Sequence, residues 1–171
     1  MRIAILSDIH DNVWKLAAAL DAAAAADALI CCGDLCSPFI VHQIARAFTK
    51  PVHIVFGNND GDPFRITLNA RNYAHVHVHG EFFSEEFDGK RFAVNHFDNI
   101  AREIGRSGEF DVVCYGHNHV YDVSRMGRTL AINPGPVMGA TFAADGTRTD
   151  VPSTFVIYDT AADAASRHEV R

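Results

Sequence analysis

The sequence predicts an α/β fold in which two β-sheets pack together with helices on the outside. In the first half, apolar runs at residues 2–6, 28–32 and 52–56 alternate with helical patterns. This alternation is typical of parallel strands joined by helical crossovers in a buried sheet. In the second half, short strands follow one another through turn signals at Gly80 and Asp88-Gly89, which indicates a second sheet containing hairpins.

The helices of the first half are predicted from their capping residues and apolar spacing. Asn12 is suited to cap a helix whose apolar positions repeat every 3.6 residues from Val13 to Ala26. An alternative role for Asn12 is a phosphate contact at the N-terminus of that helix. A second helix is predicted over residues 39–48, and Pro51 requires it to end before that position.

The second half is predicted to contain mostly short strands. These are expected near residues 74–79, 81–87, 91–95, 110–115, 120–125 and 129–132. A short helix is predicted near 98–106, and a last strand at 153–158 is expected to precede a polar tail. No linker or repeat interrupts the chain, so we expect one domain over residues 1–171.

The composition limits the classes of function. A hydrophobic fraction of 48% fits a soluble globular protein, and the net charge of −6 argues against binding to a nucleic-acid polymer or an anionic membrane. The sequence has no visible signal peptide or membrane span, and its four cysteines form no Cys-x-x-Cys pair. We therefore expect buried free thiols and a cytoplasmic protein. No heptad pattern indicates a dimer, and a homo-oligomer remains an open alternative.

Side chains suited to metal binding follow the predicted strands wherever a strand ends. They are Asp8, His10, Asp34, Asn58, His96, His117 and His119. Carboxylate, imidazole and amide oxygen suit divalent ions such as Mn²⁺, Fe²⁺, Ni²⁺ or Zn²⁺. Seven ligands exceed what one catalytic ion needs, so the sequence predicts two ions with one carboxylate shared between them.

The order of these motifs resembles that of the calcineurin-like metallophosphoesterases. The series Asp-x-His, Gly-Asp, Gly-Asn-x-Asp, Asn-His and Gly-His-x-His is similar to their small bacterial and archaeal phosphodiesterase branch over residues 2 to about 137. The resemblance implies a four-layer αββα sandwich of two mixed β-sheets flanked by helices. It also implies hydrolysis of a small phosphoester substrate by a metal-bridging hydroxide, most simply of a phosphodiester.

The resemblance further assigns roles to the site residues. Asp8, His10 and His119 would hold the first ion, Asn58, His96 and His117 the second, and Asp34 would bridge them. The catalytic set would comprise Asp34, Asn58, His96 and Asp60, with Asp60 orienting a ligand imidazole or the loop. Mn²⁺ is the expected ion, ahead of Fe²⁺, Ni²⁺ or Zn²⁺. The alternative is a non-catalytic or weakly active protein-binding scaffold, like the retromer subunit that shares this fold.

Three positions depart from the family pattern. Asn59 stands where many members have a His that is proposed to protonate the leaving group, so activated or diester substrates are favoured. Phe97 replaces a Gly and is expected to narrow the pocket or to stack on a base. Pro136 stands where a Ser is common, which removes a hydroxyl from that loop.

Two further groups of residues have weaker patterns. His75, His77 and His79 are spaced by two, so they are expected on one solvated strand face, with adventitious metal binding by the three imidazoles as the alternative. His53 has no partner pattern. Cys36 is close enough in sequence to Asp34 to approach the site, but we expect it to contribute packing only, because thiolates rarely serve phosphoester sites.

Overall fold

Two mixed β-sheets face each other in the computed structural model, which describes residues 1–170. The strands are β1 (Arg2–Leu6), β2 (Ala28–Cys31), β3 (Val52–Ile54), β4 (Val76–Val78), β5 (Phe82–Phe87), β6 (Lys90–Asn95), β7 (Val112–Cys114), β8 (Asp122–Met126), β9 (Thr129–Asn133), β10 (Ala140–Phe142), β11 (Arg148–Asp150), β12 (Thr154–Asp159) and β13 (Ala164–Glu169). The first sheet has the order β13-β12-β1-β2-β3-β4, and the second has the order β5-β6-β7-β9-β8. Strands β10 and β11 pair separately as a hairpin.

Helices cover the outer face of each sheet. They are α1 (Val13–Ala22), α2 (Ile40–Ala47), α3 (Pro63–Ala70) and α4 (Asp98–Arg106). Helices α1 to α3 share one apolar cluster with the first sheet, while Ala101 of α4 packs with residues of the second sheet. A third cluster, which includes Ile3 and Ile5, fills the space between the sheets. The layers are therefore helix, sheet, sheet and helix, which confirms the predicted fold.

The alternation of side chains along the strands explains this layering. Ile3 and Ile5 face the other sheet, whereas Ala4 and Leu6 face the helices. All four residues are fully buried, so the strand reads as a continuous apolar run. Cys31 and Cys32 divide in the same way between the two clusters, as their adjacent positions predict.

Several elements differ from the sequence-based expectations. Helix α1 ends at Ala22 rather than near Ala26, and helix α3 was not predicted, although Asp62 caps it and Pro63 occupies its first turn. The β10–β11 hairpin was also not predicted. The strand expected near residues 153–158 is not the last one, because residues 164–169 of the polar tail form β13. This strand lies at the sheet edge, so its side chains are largely exposed and its polar sequence concealed it.

The three histidines that were expected on one strand face have different neighbours in the structure. Strand β4 begins at Val76, and the His75 ring hydrogen-bonds the Ala45 carbonyl of α2 at 3.1 Å. The rings of His77 and His79 instead lie beside His53, with ring centroids 5.2 Å from it in each case.

Within residues 1–170, no helix has the length and apolar character needed to cross a membrane.

Candidate metal centre

The site lies where the carboxyl ends of strands from both sheets meet. Loops after β1, β2 and β3 carry Asp8 and His10, Asp34, and Asn58, and these three strands run parallel in the first sheet. Loops after β6 and β7 of the second sheet carry His96 and the pair His117 and His119. The structure brings all seven predicted ligand residues together at this end of the sandwich, where open α/β sheets bind ligands.

The loops reach this arrangement through unusual backbone conformations. Five of the seven predicted ligands have positive φ values, namely Asp8 (53°), His10 (43°), Asp34 (56°), His117 (72°) and His119 (57°). Non-glycine residues rarely adopt this left-handed conformation, and each such residue costs on the order of 1–3 kcal/mol. The loops therefore turn sharply at the strand ends, and the surrounding packing holds the side chains in place.

Two glycines allow the loops to approach one another closely. A Cβ atom on Gly57 would lie 2.2 Å from Asp34 Oδ1, and one on Gly116 would lie 1.9 Å from Ser7 Oγ. Each of these loops therefore requires glycine for space rather than for a positive φ. The Gly-Asn and Gly-His motifs identified in the sequence thus have a steric reason.

Asp8, His10 and His119 form the first group of side chains that could hold a metal ion. His10 Nε2 lies 3.2 Å from His119 Nε2, and His119 Nε2 lies 3.3 Å from Asp8 Oδ1. Asp8 Oδ1 lies 3.9 Å from His10 Nε2. Two ligand atoms on a tetrahedral ion with bonds near 2 Å lie about 3.3 Å apart, so these spacings suit a single ion.

Asn58, His96 and His117 form the second group. Asn58 Oδ1 lies 2.8 Å from His117 Nδ1 and 3.1 Å from His96 Nε2. The His96 side chain is fully buried, whereas His117 and Asn58 are exposed. The amide oxygen thus faces both imidazoles, and the group opens toward solvent on one side.

Asp34 lies between the two groups. Its Oδ2 atom is 3.3 Å from His10 Nε2 of the first group and 3.4 Å from His96 Nε2 of the second. Ligand atoms of Asp8, Asp34 and His96 also lie within 4.8 Å of one another, so Asp8 approaches both groups as well. Of the two carboxylates, Asp34 has the more even distances to an imidazole of each group.

Backbone carbonyls orient two of the imidazoles. Nδ1 of His96 lies 2.7 Å from the Cys32 carbonyl oxygen, and Nδ1 of His119 lies 2.7 Å from the Ala140 carbonyl oxygen. A carbonyl accepts only, so each Nδ1 carries a proton, and in the neutral ring Nε2 is the nitrogen with the free lone pair. This is the arrangement by which proteins fix the tautomer of a metal-ligating histidine.

The charges of the site favour a cation. Burial raises the pKa of Asp34, but His96 and the hydrogen bonds from Asn59 outweigh it and hold this pKa well below its usual range. Burial lowers the pKa of His119, yet the neighbouring Asp8 carboxylate raises it above its ordinary value. The Asp34 carboxylate is therefore ionised, and its negative charge attracts protons or metal ions to this end of the sandwich.

Comparison with known proteins identifies the family. A model of the calcineurin-like phosphoesterase superfamily domain matches residues 1–163. The chain belongs to this superfamily. The result confirms the family predicted from the motifs and the predicted class of enzyme, a metal-dependent hydrolase of phosphate esters.

Individual relatives differ in how similar they are to this chain. Phosphodiesterase MJ0936 of Methanocaldococcus jannaschii is 28% identical over 143 residues, which cover 81% of this chain and 86% of that protein. The structure of an archaeal phosphodiesterase aligns with a TM-score of 0.87 at 25% identity, covering 99% of this chain and 100% of the other. A single mutant of Vps29 from Entamoeba histolytica aligns over 100% of both chains with a TM-score of 0.65 at 15% identity, which shows a shared fold.

Asp60 connects two loops of this calcineurin-like centre. Its carboxylate accepts four backbone N–H groups, from Asp34, Leu35, Cys36 and Gly57, at 2.7–3.1 Å. The side chain is buried, and burial raises its pKa while these donors oppose the rise. The sequence predicts that Asp60 orients either a ligand imidazole or the loop. Its contacts are with the backbone and join the Gly-Asp loop to the Gly-Asn loop, so they support the second role.

Asn59 and Cys36 make contacts that the sequence did not reveal. The Asn59 backbone N–H donates to Asp34 Oδ1 and its side-chain amide donates to Asp34 Oδ2, both at 2.8 Å. Cys36 Sγ lies 3.5 Å from His10 Nδ1, so this thiol contacts a predicted ligand. Burial and nearby carboxylates raise the pKa of Cys36 to about 12, so it is protonated at neutral pH.

Phe97 packs against two of the predicted ligands and does not line the cavity. Its ring contacts His96 and His117 edge-on, with centroids 5.3 and 5.0 Å apart. The Phe97 ring, which is expected from the sequence to narrow the pocket or to stack on a base, thus contacts two predicted ligands instead. The phenylalanine that lines the cavity is Phe142.

Asn12 caps helix α1 as expected, since its Oδ1 accepts the Lys15 N–H at 3.2 Å.

Five of the seven predicted ligands line an open cavity of about 410 Å³, and Asp8 and His96 lie behind them without lining it. Its lining residues are His10, Asp34, Asn58, Asn59, His117, Asn118, His119, Thr141 and Phe142. Thr141 and Phe142 belong to the β10–β11 hairpin, which no sequence pattern predicted. An adjoining recess of about 200 Å³ shares His119 and Thr141 and has a mostly apolar lining that includes Tyr121 and Pro136.

Proposed function

We propose that the protein is a dinuclear phosphodiesterase that hydrolyses small phosphodiesters. The observation that carries this proposal is the position of Asp34, whose Oδ2 lies 3.3 Å from His10 Nε2 and 3.4 Å from His96 Nε2. A carboxylate at nearly equal distances from two groups of ligands is suited to hold two ions at a short separation. The relative named a phosphodiesterase supports the same class of substrate.

We assign the ligands as follows. Asp8, His10 and His119 would hold one ion and Asn58, His96 and His117 the other, with Asp34 shared. Oxygen and imidazole donors of this kind fit Mn²⁺, which we propose as the native ion. When bound, two such ions supply Lewis-acid activation of a phosphoryl oxygen and of the attacking water. Asp34, Asn58 and His96 would act at the reacting phosphate, and Asp60 would position Asp34 through the backbone.

The two adjoining recesses support a diester rather than a large substrate. The cavity of about 410 Å³ faces the predicted ligands, and the apolar recess of about 200 Å³ begins at His119. A phosphodiester has two substituents, so one would extend past Phe142 and the other toward Tyr121. Volumes of a few hundred Å³ are typical of small-molecule sites.

Asn59 supports the same choice of substrate. Its amide donates to Asp34 Oδ2 at 2.8 Å and would orient that carboxylate. An amide does not serve as a general acid at neutral pH, so a leaving group receives no proton from this position. Activated esters and diesters with good leaving groups would react faster than esters with poor ones.

Hydrolysis of two chromogenic esters tests the proposal. Metal-stripped protein would be assayed with bis-p-nitrophenyl phosphate and with p-nitrophenyl phosphate, with and without added Mn²⁺. We expect Mn²⁺-dependent cleavage that favours the diester. A preference for the monoester would refute the substrate class, and equal rates without metal would refute the metal requirement.

A protein-binding scaffold is the second candidate function. Three large aromatic side chains are exposed on or next to the helices of the first sheet: Trp14 (81%), Phe39 (50%) and Phe64 (74%). Exposed aromatic residues are enriched at protein interfaces. Bound metal without turnover of either ester would favour this candidate, and rapid turnover would favour the enzyme.

A further inference from the structure

We propose that His53, His79 and Glu85 form a second metal site, which binds one zinc ion and links the two sheets. His53 lies on β3 of the first sheet, His79 follows the edge strand β4, and Glu85 lies on β5, the edge strand of the second sheet. None of these residues contributes to the phosphoesterase centre. At Gly80 the chain crosses from β4 of the first sheet to β5 of the second. A metal ion bound here would therefore connect the two edge strands, β4 and β5, that lie on either side of this crossing.

The three side chains converge on one point. His53 Nδ1 lies 3.0 Å from His79 Nε2, Glu85 Oε2 lies 3.4 Å from His53 Nδ1, and Glu85 Oε1 lies 4.0 Å from His79 Nε2. One ligand atom from each residue can be chosen so that all three lie within 4.8 Å of one another. Each histidine thus uses a single nitrogen for both of its contacts. A tetrahedral zinc ion places its ligand atoms about 3.3 Å apart, which lies within the range of these three distances.

A hydrogen bond between the imidazoles explains only part of this geometry. One ring would donate to the other at 3.0 Å, and no carboxylate would be needed. The Glu85 side chain is nevertheless directed at the two nitrogens that already face each other. A metal cation between the three groups would interact favourably with all of them, because each would direct a lone pair at the ion.

The protonation of the rings suits a metal rather than two charged imidazoles. Burial and the neighbouring histidines lower the pKa of His53 to about 4. Burial also lowers the pKa of His79, against the opposing effect of Glu85. Both rings are therefore neutral at pH 7, and each presents a lone pair without having to lose a proton first.

The surrounding aromatic rings hold both imidazoles in position. The His79 ring stacks on Phe83 with centroids 4.3 Å apart, and the His53 ring meets Phe87 edge-on at 5.1 Å. Two imidazoles and one carboxylate are a ligand set that zinc uses in proteins, with water in the fourth position. The partly exposed Glu85 leaves that position open to solvent.

Zinc content per chain tests the proposal. The full-length protein and the variants His79→Gln and Glu85→Gln would be dialysed against buffered zinc and analysed by mass spectrometry. We expect each variant to retain one zinc ion fewer than the parent. His75→Gln is the matched control, because His75 precedes the same strand but its ring bonds Ala45 of α2, and it should retain the parent value. Equal zinc in all four proteins, or loss of an ion in His75→Gln, would overturn the assignment.

Thermal unfolding distinguishes a linking ion from a loosely held one. An ion bound only to the folded state raises the melting temperature. We expect zinc to raise the Tm of the parent by about 5 °C more than that of Glu85→Gln. His79→Gln and Glu85→Gln should both keep the metal-dependent phosphoester hydrolysis of the parent. An equal zinc response in parent and variant, or a loss of turnover in either variant, would contradict a separate site between the sheets.

Discussion

The centre at the strand ends and the cluster of His53, His79 and Glu85 use the same side-chain types in different ways. Both bring imidazole and carboxylate atoms to within 3–4 Å of one another. In the strand-end centre, five of the predicted ligands have left-handed backbone conformations. In the second cluster, the three residues have ordinary backbone conformations and are aligned by strand pairing and by the crossing at Gly80.

This difference indicates what each region is suited to do. Strained loops hold side chains at the mouth of a cavity, where a substrate would reach them, and their strain is offset by the packing of both sheets. The second cluster has no such strain and joins β3 and the end of β4 to β5 of the other sheet, where an ion would add stability. Catalysis and cross-linking can therefore arise from the same residue types on different parts of one fold.

The largest expected effect separates the two regions directly. Asp34→Asn should abolish phosphodiester hydrolysis and lower the metal content of the strand-end centre, because the shared carboxylate would be lost. Glu85→Gln, the matched carboxylate change in the other cluster, should leave turnover at the parent level. Turnover rates and metal content of both purified variants provide the check. Undiminished hydrolysis by Asp34→Asn would remove the basis for a shared ligand.

The sequence predicted the strand-end centre because its ligands repeat one local pattern. Asp8, Asp34 and Asn58 each follow an apolar strand, and parallel strands bring their carboxyl ends together. The second cluster depends instead on the register that pairs His53 with His77 and on the crossing from β4 to β5. Neither is encoded in a local spacing, so His53 had no visible partner. The β10–β11 hairpin was missed for a different reason, since its strands have only three residues each and β11 is exposed throughout and lacks apolar residues.

Asn59→His tests whether the strand-end centre lacks a proton donor. With a histidine at this position, hydrolysis of esters with poor leaving groups should increase by about 100-fold. Hydrolysis of p-nitrophenyl esters should change little, because their leaving group needs no proton. The check is to measure both hydrolysis rates, for an ester with a poor leaving group and for a p-nitrophenyl ester, on one preparation. An equal change in the two rates would refute the idea that the histidine acts by protonating the leaving group. His79→Gln, in the other cluster, should alter neither rate.

Asp60→Asn examines the support beneath the strained loops. An amide has one acceptor oxygen and would present N–H groups to backbone donors, so several of the four hydrogen bonds of Asp60 would be lost. We expect a loss of about 1–3 kcal/mol in the free energy of unfolding. Metal affinity should fall by about 10-fold, because the loop that carries Asp34 would loosen. Denaturant unfolding and metal titration measure the two effects, and parent-like values in both would mean that the loops do not depend on Asp60.

The most direct measurement is an anomalous-scattering map from crystals grown with Mn²⁺. A dinuclear centre predicts two peaks about 3.5–4 Å apart. One should lie among Asp8, His10 and His119 and the other among Asn58, His96 and His117, with the Asp34 carboxylate between them. A single peak, or two peaks bridged by Asp8 while Asp34 contacts only one, would contradict the proposed role of Asp34.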